Sequence, residues 1–191
     1  MAEHVCPVWV GHLLASPLRK LYNNPKKILG QHVTDGMTAL DIGCAMGFFS
    51  LPLAEMVGVK GKVICIDLQE RMIEVLEKRA RKAGLSERIQ THLCGKDSLG
   101  LEEFTGTIDF ALAFAVVHEV PDAGSFFSEI HEAIKPGGKF LVAEPRGHVS
   151  ETNFDATVSL AVQKGFSEVN RSRTFFNRTA LLVKQKARVS P

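Results

Sequence analysis

The chain has no large excess of charge of one sign, no long apolar run and no paired cysteines. Each absence removes a class of protein. Lysine and arginine number 23 against 21 for aspartate and glutamate, a net charge of +2 over 191 residues. A balance this close leaves no broad basic field for a nucleic-acid backbone. The longest uninterrupted apolar run, Phe110 to Val117, is eight residues, too short to span a bilayer as a helix. The opening Met1-Ala-Glu-His has no basic region followed by an apolar one, so no secretory signal is expected. The four cysteines, Cys6, Cys44, Cys65 and Cys94, form no C-x-x-C pair and no zinc-ligand spacing. They read as small packing residues of a cytoplasmic protein, and no metal site is expected. Cys6 lies near His4 and Trp9; packing is preferred there over a reactive or metal-binding role.

What the chain does have is alternation. With 45% hydrophobic and 23% charged residues, it suits a globular domain with a sizeable core. From residue 36 onward, strand and helix patterns take turns. Strands are predicted at Met37–Ile42, Lys62–Asp67, Ile89–Leu93, Thr107–Phe114 and Phe140–Ala143. Helices are predicted from about Phe49 to Val57, from Gln69 to Ala83, around Phe126–Ile134 and over 151–164. The last helix should turn Phe154, Val158, Ala161 and Val162 inward. Two final strands, Phe166–Arg171 and Leu181–Lys184, suggest an antiparallel hairpin. Such alternation implies an α/β fold, a doubly wound and mostly parallel sheet covered by helices on both faces. No internal repeat and no second domain is evident. Residues 1–32 stand outside this pattern, with short helices expected at Pro7–Leu21 and Pro25–Leu29. Val8, Trp9, Leu13, Leu14 and Leu18 can form an apolar stripe there.

The most informative stretch is Ala39-Leu-Asp41-Ile-Gly43-Cys44-Ala45-Met46-Gly47-Phe-Phe-Ser50. An apolar strand meets a small-residue loop and then a helix, which brings backbone N–H groups close to a nucleotide-like ligand. The loop reads Asp41-x-Gly43-x-Ala45-x-Gly47, which differs from the G-x-G-x-x-G spacing of a nicotinamide-binding turn. A second carboxylate, Asp67, ends the next strand 20 residues beyond Gly47. There it can accept hydrogen bonds from both hydroxyls of a ribose. The loop resembles motif I, Asp-x-Gly-x-Gly-x-Gly, of the class I S-adenosylmethionine (SAM)-dependent methyltransferases, with one glycine replaced by alanine. Ala113 to Asp122 and Ile134-Lys-Pro-Gly-Gly138 extend the resemblance, which covers residues 33–185. Within that family the chain is similar to a small bacterial or archaeal branch near the quinone and arsenite methyltransferases.

The resemblance implies a seven-stranded Rossmann-like sheet of order 3-2-1-4-5-7-6 with strand 7 antiparallel. It implies SAM as cofactor, with S-adenosylhomocysteine as product, and a single domain whose residues 1–32 form a lid or extension over a core at 33–185. Trp9 and Tyr22 are candidate wall residues of that lid. In open α/β sheets, ligands bind at the carboxyl ends of the strands. Cofactor contacts are therefore expected from Asp41, Gly43, Cys44, Ala45, Gly47, Asp67, Leu68, Lys96, Asp97 and Phe114. Leu68 can pack on the adenine and Asp97 accept from its amino group, although Gly95-Lys96-Asp97 departs from the family's Gly-Asp-Ala. His118 and Glu119 after strand 4 are the candidate catalytic residues; Glu144 and His148 follow strand 5. A base is needed only when the acceptor must lose a proton. A small-molecule acceptor is the leading reading. An RNA methyltransferase and a non-catalytic SAM-binding domain are the alternatives.

Overall fold

The computed structural model describes residues 23–186. The expected helix at 7–21 with its apolar stripe, Cys6, and the wall residues Trp9 and Tyr22 lie outside the described residues. By their contacts the described residues form two compact units, one ending at Gly95 and the other beginning at Lys96.

The first unit opens with a short helix α1 (Pro25–Leu29), started by the Asn24 side chain, which accepts from the Lys27 N–H. It continues through β1 (Thr38–Ile42), α2 (Ser50–Met56), β2 (Lys62–Asp67), α3 (Glu70–Ala83) and β3 (Ile89–Leu93). β2 pairs in parallel with β1 on one side and β3 on the other. Met72, Ile73, Leu76 and Ala80 line the buried face of α3, at the three- and four-residue spacing that keeps side chains on one stripe. Gly84 ends α3 in a left-handed conformation, its N–H returning to the carbonyls of Ala80 and Arg81. β2 is buried at five of six positions, whereas β3 has none fully buried. That contrast is what a central strand and an edge strand require. Cys94 lies one residue past β3 and is partly exposed.

The second unit holds β4 (Ile108–Phe114), α4 (Ala123–Ala133), β5 (Ile134–Pro145), α5 (Glu151–Gln163), β6 (Phe166–Arg173) and β7 (Asn177–Lys184). β4 pairs in parallel with β5, β5 antiparallel with β7, and β7 antiparallel with β6. The sheet order over the chain is β3-β2-β1-β4-β5-β7-β6, the order that the resemblance implies. Among the described residues no helix is long and apolar enough to cross a membrane.

Two strand starts and the burial of one helix residue differ from what was read in the sequence. β5 starts at Ile134 rather than Phe140, because Lys135-Pro-Gly-Gly138 stays inside the strand as an irregularity. Ile108 faces Ile134 while Phe110 faces Lys139. A Cβ on Gly138 would lie 2.6 Å from Ile134 Cγ2 and 3.0 Å from the Ile108 carbonyl oxygen, so only glycine fits. β7 starts at Asn177, four residues earlier than expected, since Asn177 pairs with Pro145 at the far end of β5. Val162 is 44% exposed and does not join the inner face of α5, which Phe154, Val158 and Ala161 fill.

Aromatic rings carry the core of the second unit. Phe127 and Phe140 are both fully buried, with ring centroids 6.1 Å apart, and Phe166 stands 5.6 Å from Phe140. Truncating Phe140→Ala removes the ring between the other two and should cost about 3–5 kcal/mol. Urea unfolding measures this. A loss below about 1 kcal/mol would show that the rings do not support one another.

Candidate functional site

Two clusters of chemistry-bearing residues lie at strand ends, one in each unit. The first is the loop between β1 and α2. Its backbone turns left-handed at every second residue, with φ of 67° at Gly43, 46° at Ala45 and 82° at Gly47. The loop is pinned to the end of β2. The Cys44 N–H donates to the Ile66 carbonyl at 2.9 Å, and the Ala45 N–H donates to Asp67 Oδ2 at 2.8 Å. From the other side Arg79 on α3 donates to the Met46 carbonyl.

Asp67 is 8% exposed, and its Oδ1 accepts the Gln69 N–H at 2.9 Å. Burial pushes its carboxyl above the ordinary range, opposed by the backbone N–H groups of Gln69, Ala45 and Leu68. Each carboxylate oxygen keeps acceptor capacity beyond one amide. Leu68 beside it is half-buried. Asp41 is turned inward at 2% exposure and accepts from Ser50 Oγ at 2.6 Å. It thereby holds the first residue of α2 against the end of β1. Cys44 is 4% exposed, and burial pushes its thiol up, which keeps it protonated and unreactive. Gly47 answers to packing: a Cβ there would sit 2.3 Å from Leu76 Cδ1 on α3.

In the second unit Lys96 and Asp97 are exposed. The residues after them are tied to α4, where Glu129 Oε2 accepts from Ser98 Oγ and from the N–H groups of Leu99 and Gly100. Phe114 ends β4, 9% exposed. The chain then turns at Ala115, whose φ is 59°, and enters a one-turn helix at Val117–Glu119.

That turn delivers His118 to Glu144. The Glu144 side chain is 1% exposed although it lies one residue from the end of β5, and His118 Nδ1 lies 2.6 Å from its Oε2. Its Oε1 accepts the Val117 N–H at 2.8 Å. Glu119 Oε1 is 3.9 Å from His118 Nε2, beyond hydrogen-bond reach. The His148 ring centroid stands 5.8 Å away. Glu144 raises the His118 pKa above its usual value, chiefly through the hydrogen bond, with burial opposing and Glu119 adding to the rise. Sequence reasoning named His118 and Glu144 separately and did not pair them. The signal was a glutamate closing the apolar run Phe140-Leu-Val-Ala143, where a buried acid needs a partner. Among the described residues no three His, Cys, Asp or Glu side chains are grouped to hold a metal.

The loop geometry separates two neighbouring positions. Ala45→Gly relieves a left-handed alanine and should leave thermal stability unchanged or up by about 1 kcal/mol. Gly47→Ala adds both the left-handed penalty and a clash with Leu76, and should cost about 2–4 kcal/mol. Calorimetric melting of the two variants tests this. Equal effects would refute the assignment of strain to Ala45 and packing to Gly47.

Comparison with known proteins bears on the reading of these clusters. A demethylmenaquinone methyltransferase of Oceanobacillus iheyensis is 30% identical over 113 residues, which is 59% of this chain and 46% of that protein. The chain thus spans less than half the length of that relative. A SAM-dependent methyltransferase from Aquifex aeolicus has the same fold, with TM-score 0.84 and 21% identity over 94% of this chain and 100% of the other. So does a phosphoethanolamine N-methyltransferase of Haemonchus contortus solved with SAM, with TM-score 0.70 and 18% identity over 86% of this chain and 53% of the other. The family model described as a methyltransferase domain matches residues 33–185. With four-fifths of its length inside that match, the chain belongs to the methyltransferase-domain family.

Proposed function

We propose that the chain transfers a methyl group from SAM to a small-molecule acceptor in the cytoplasm by in-line displacement. The observation that carries this reading is the link between the Gly43–Gly47 loop and Asp67, made by the Ala45 N–H. It holds a backbone cradle and a carboxylate in fixed relation at the ends of β1 and β2. The cradle suits the methionine portion of SAM, because Gly43 and Ala45 leave backbone near the surface. Asp67 suits the ribose, since hydroxyl donors would offset the burial that now disfavours its charge. Leu68 is assigned to the adenine face. Asp41, Cys44 and Gly47 support the cradle from beneath.

When bound, SAM supplies a methyl group on a cationic sulfur with a good leaving group. The chain therefore has to align the acceptor and exclude water. Fold does not choose the acceptor. The proteins that the chain is similar to include a demethylmenaquinone methyltransferase and a phosphoethanolamine N-methyltransferase. The small net charge favours a small molecule over RNA.

Titration calorimetry should find SAM and S-adenosylhomocysteine binding once per chain. Asp67→Ala should weaken that binding by about 1.5–3 kcal/mol, roughly 10- to 150-fold. The pH dependence has a definite sign. Burial raises the Asp67 pKa in the free protein, so the fold favours the protonated acid. This contribution to stability is full below the ordinary carboxylate pKa and is lost as pH rises through the raised one. Ribose hydroxyls favour the ionised form, so affinity should hold at neutral pH and fall on acidification through the raised pKa. Saturable NADH binding with no response to S-adenosylhomocysteine would overturn the reading.

A further inference from the structure

We propose that the cleft between α5 and the β6–β7 hairpin is a binding site for a small organic carboxylate. The proposal stands on the second unit alone and does not depend on the methyl-transfer reading. The cleft is a cavity of about 250 Å³, with Glu151, Phe154, Asp155, Arg171, Arg173 and Arg178 in its lining. That volume lies below the usual range for drug-sized ligands, so the occupant is small. Three guanidinium groups around one small cavity call for an anion.

The three arginines are engaged to different degrees. Arg171 is fully matched by acids. Its Nε and Nη2 donate to the two oxygens of Glu168, at 2.7 and 2.9 Å, and its Nη1 donates to Asp155. Arg173 and Arg178 share a single carboxylate. Glu151 Oε2 lies 3.9 Å from Arg173 Nη1 and 3.9 Å from Arg178 Nη2, beyond hydrogen-bond reach of both. Charge is therefore segregated along the cleft. Acid is in excess at Arg171, and one positive charge is unmatched where Arg173 and Arg178 converge. A monoanion neutralises that end, whereas a dianion would overshoot it. This is the reason for a carboxylate over a phosphate monoester.

Arg178 supplies the second observation. Its side chain is only 13% exposed, and its Nη1 donates to the Val149 carbonyl at 2.8 Å, which anchors one side of the guanidinium. Its Nε is buried and has no hydrogen-bond partner, and its Nη2 has only the distant Glu151. The N–H groups of Nε and Nη2 form the planar edge that matches the two oxygens of a carboxylate. A buried donor without an acceptor carries a free-energy penalty, and a carboxylate received at this edge removes it. In the bound state the edge faces the ligand, and Arg173, 62% exposed, turns toward the same anion. Phe154, 1% exposed, gives the ligand's apolar part a wall. Glu151 is the internal competitor, because its carboxylate already faces both arginines.

Benzoate is a suitable probe, with neutral benzamide and inorganic phosphate as comparisons. Side-chain NMR of the unaltered protein, which needs no variant to fold, follows the Arg178 Nε–H. Benzoate should move this signal saturably, with a dissociation constant in the millimolar range or below, and benzamide should not. Calorimetry then reads the variants. Arg173→Gln, at an exposed position, should weaken benzoate roughly tenfold, the scale of one hydrogen bond between charged groups. Arg178→Lys keeps the charge without the planar edge and should weaken it at least as much. Glu151→Gln removes the competitor and should strengthen it severalfold. An Arg178 signal that benzoate leaves in place overturns the proposal. So does an equal response to benzamide, or an affinity that neither arginine variant changes. Tighter binding of phosphate than of benzoate overturns the assignment to a carboxylate.

Discussion

The hydrogen bond from the Ala45 N–H to the Asp67 carboxylate is the constraint on which the first unit's chemistry depends. It joins a loop leaving one strand to the end of the next. Two features follow from it. The loop must curl tightly enough to present an amide to its neighbour, which requires left-handed φ at Gly43, Ala45 and Gly47. The carboxylate must lie where the fold excludes water, and burial raises its pKa. Neither feature favours stability by itself. An alanine at φ 46° is strained by about 1–2 kcal/mol, and a buried acid costs more unless it is hydrogen-bonded. The link makes both tolerable by letting the strained amide satisfy the buried acid.

The second unit solves a similar problem differently. β4 is followed by a left-handed alanine, Ala115 at φ 59°, whose N–H donates to the Ala143 carbonyl at 2.7 Å. That bond anchors the strained residue on β5 just before Glu144. From there a single helical turn suffices to bring the Val117 N–H and the His118 ring onto the two oxygens of Glu144. Backbone strain at a strand end therefore sets side-chain geometry one turn later. Residues in such conformations persist where their surroundings over-determine them.

Much of this was legible in the residues. The strands at Lys62–Asp67 and Ile89–Leu93 have the bounds read in the sequence. The sheet order came from the resemblance, since residue periodicity contains no information on which strands are neighbours. The start of β5 was not legible. Pro136 and two glycines read as a terminator, and only pairing with β4 keeps them in a strand. Val162 was misplaced because helical spacing ranks positions by angle, and α5 has room for a narrow buried stripe only. In the loop, Gly43, Ala45 and Asp67 were recognisable by type and spacing. The contacts of Asp41 with Ser50 and of Gly47 with Leu76 were not, because tertiary structure brings them together. The pairing of His118 with Glu144 was hidden for the same reason, the two being 26 positions apart.

Glu144 raises a question that stability cannot answer. A buried charged pair is often no better for a fold than apolar residues of the same volume, because desolvation offsets the attraction. Residues Phe140 to Ala143 show that β5 accepts apolar side chains up to that point, each 5% exposed or less. Continuing the run with leucine or valine would remove the desolvation cost and leave His118 to solvent. The glutamate instead is held by a backbone amide on one oxygen and the imidazole on the other, so its charge is fully used where it stands. An arrangement that gives up stability to fix one histidine in one tautomer has its advantage in what the other ring nitrogen can do. That is the reason to look for chemistry at Nε2.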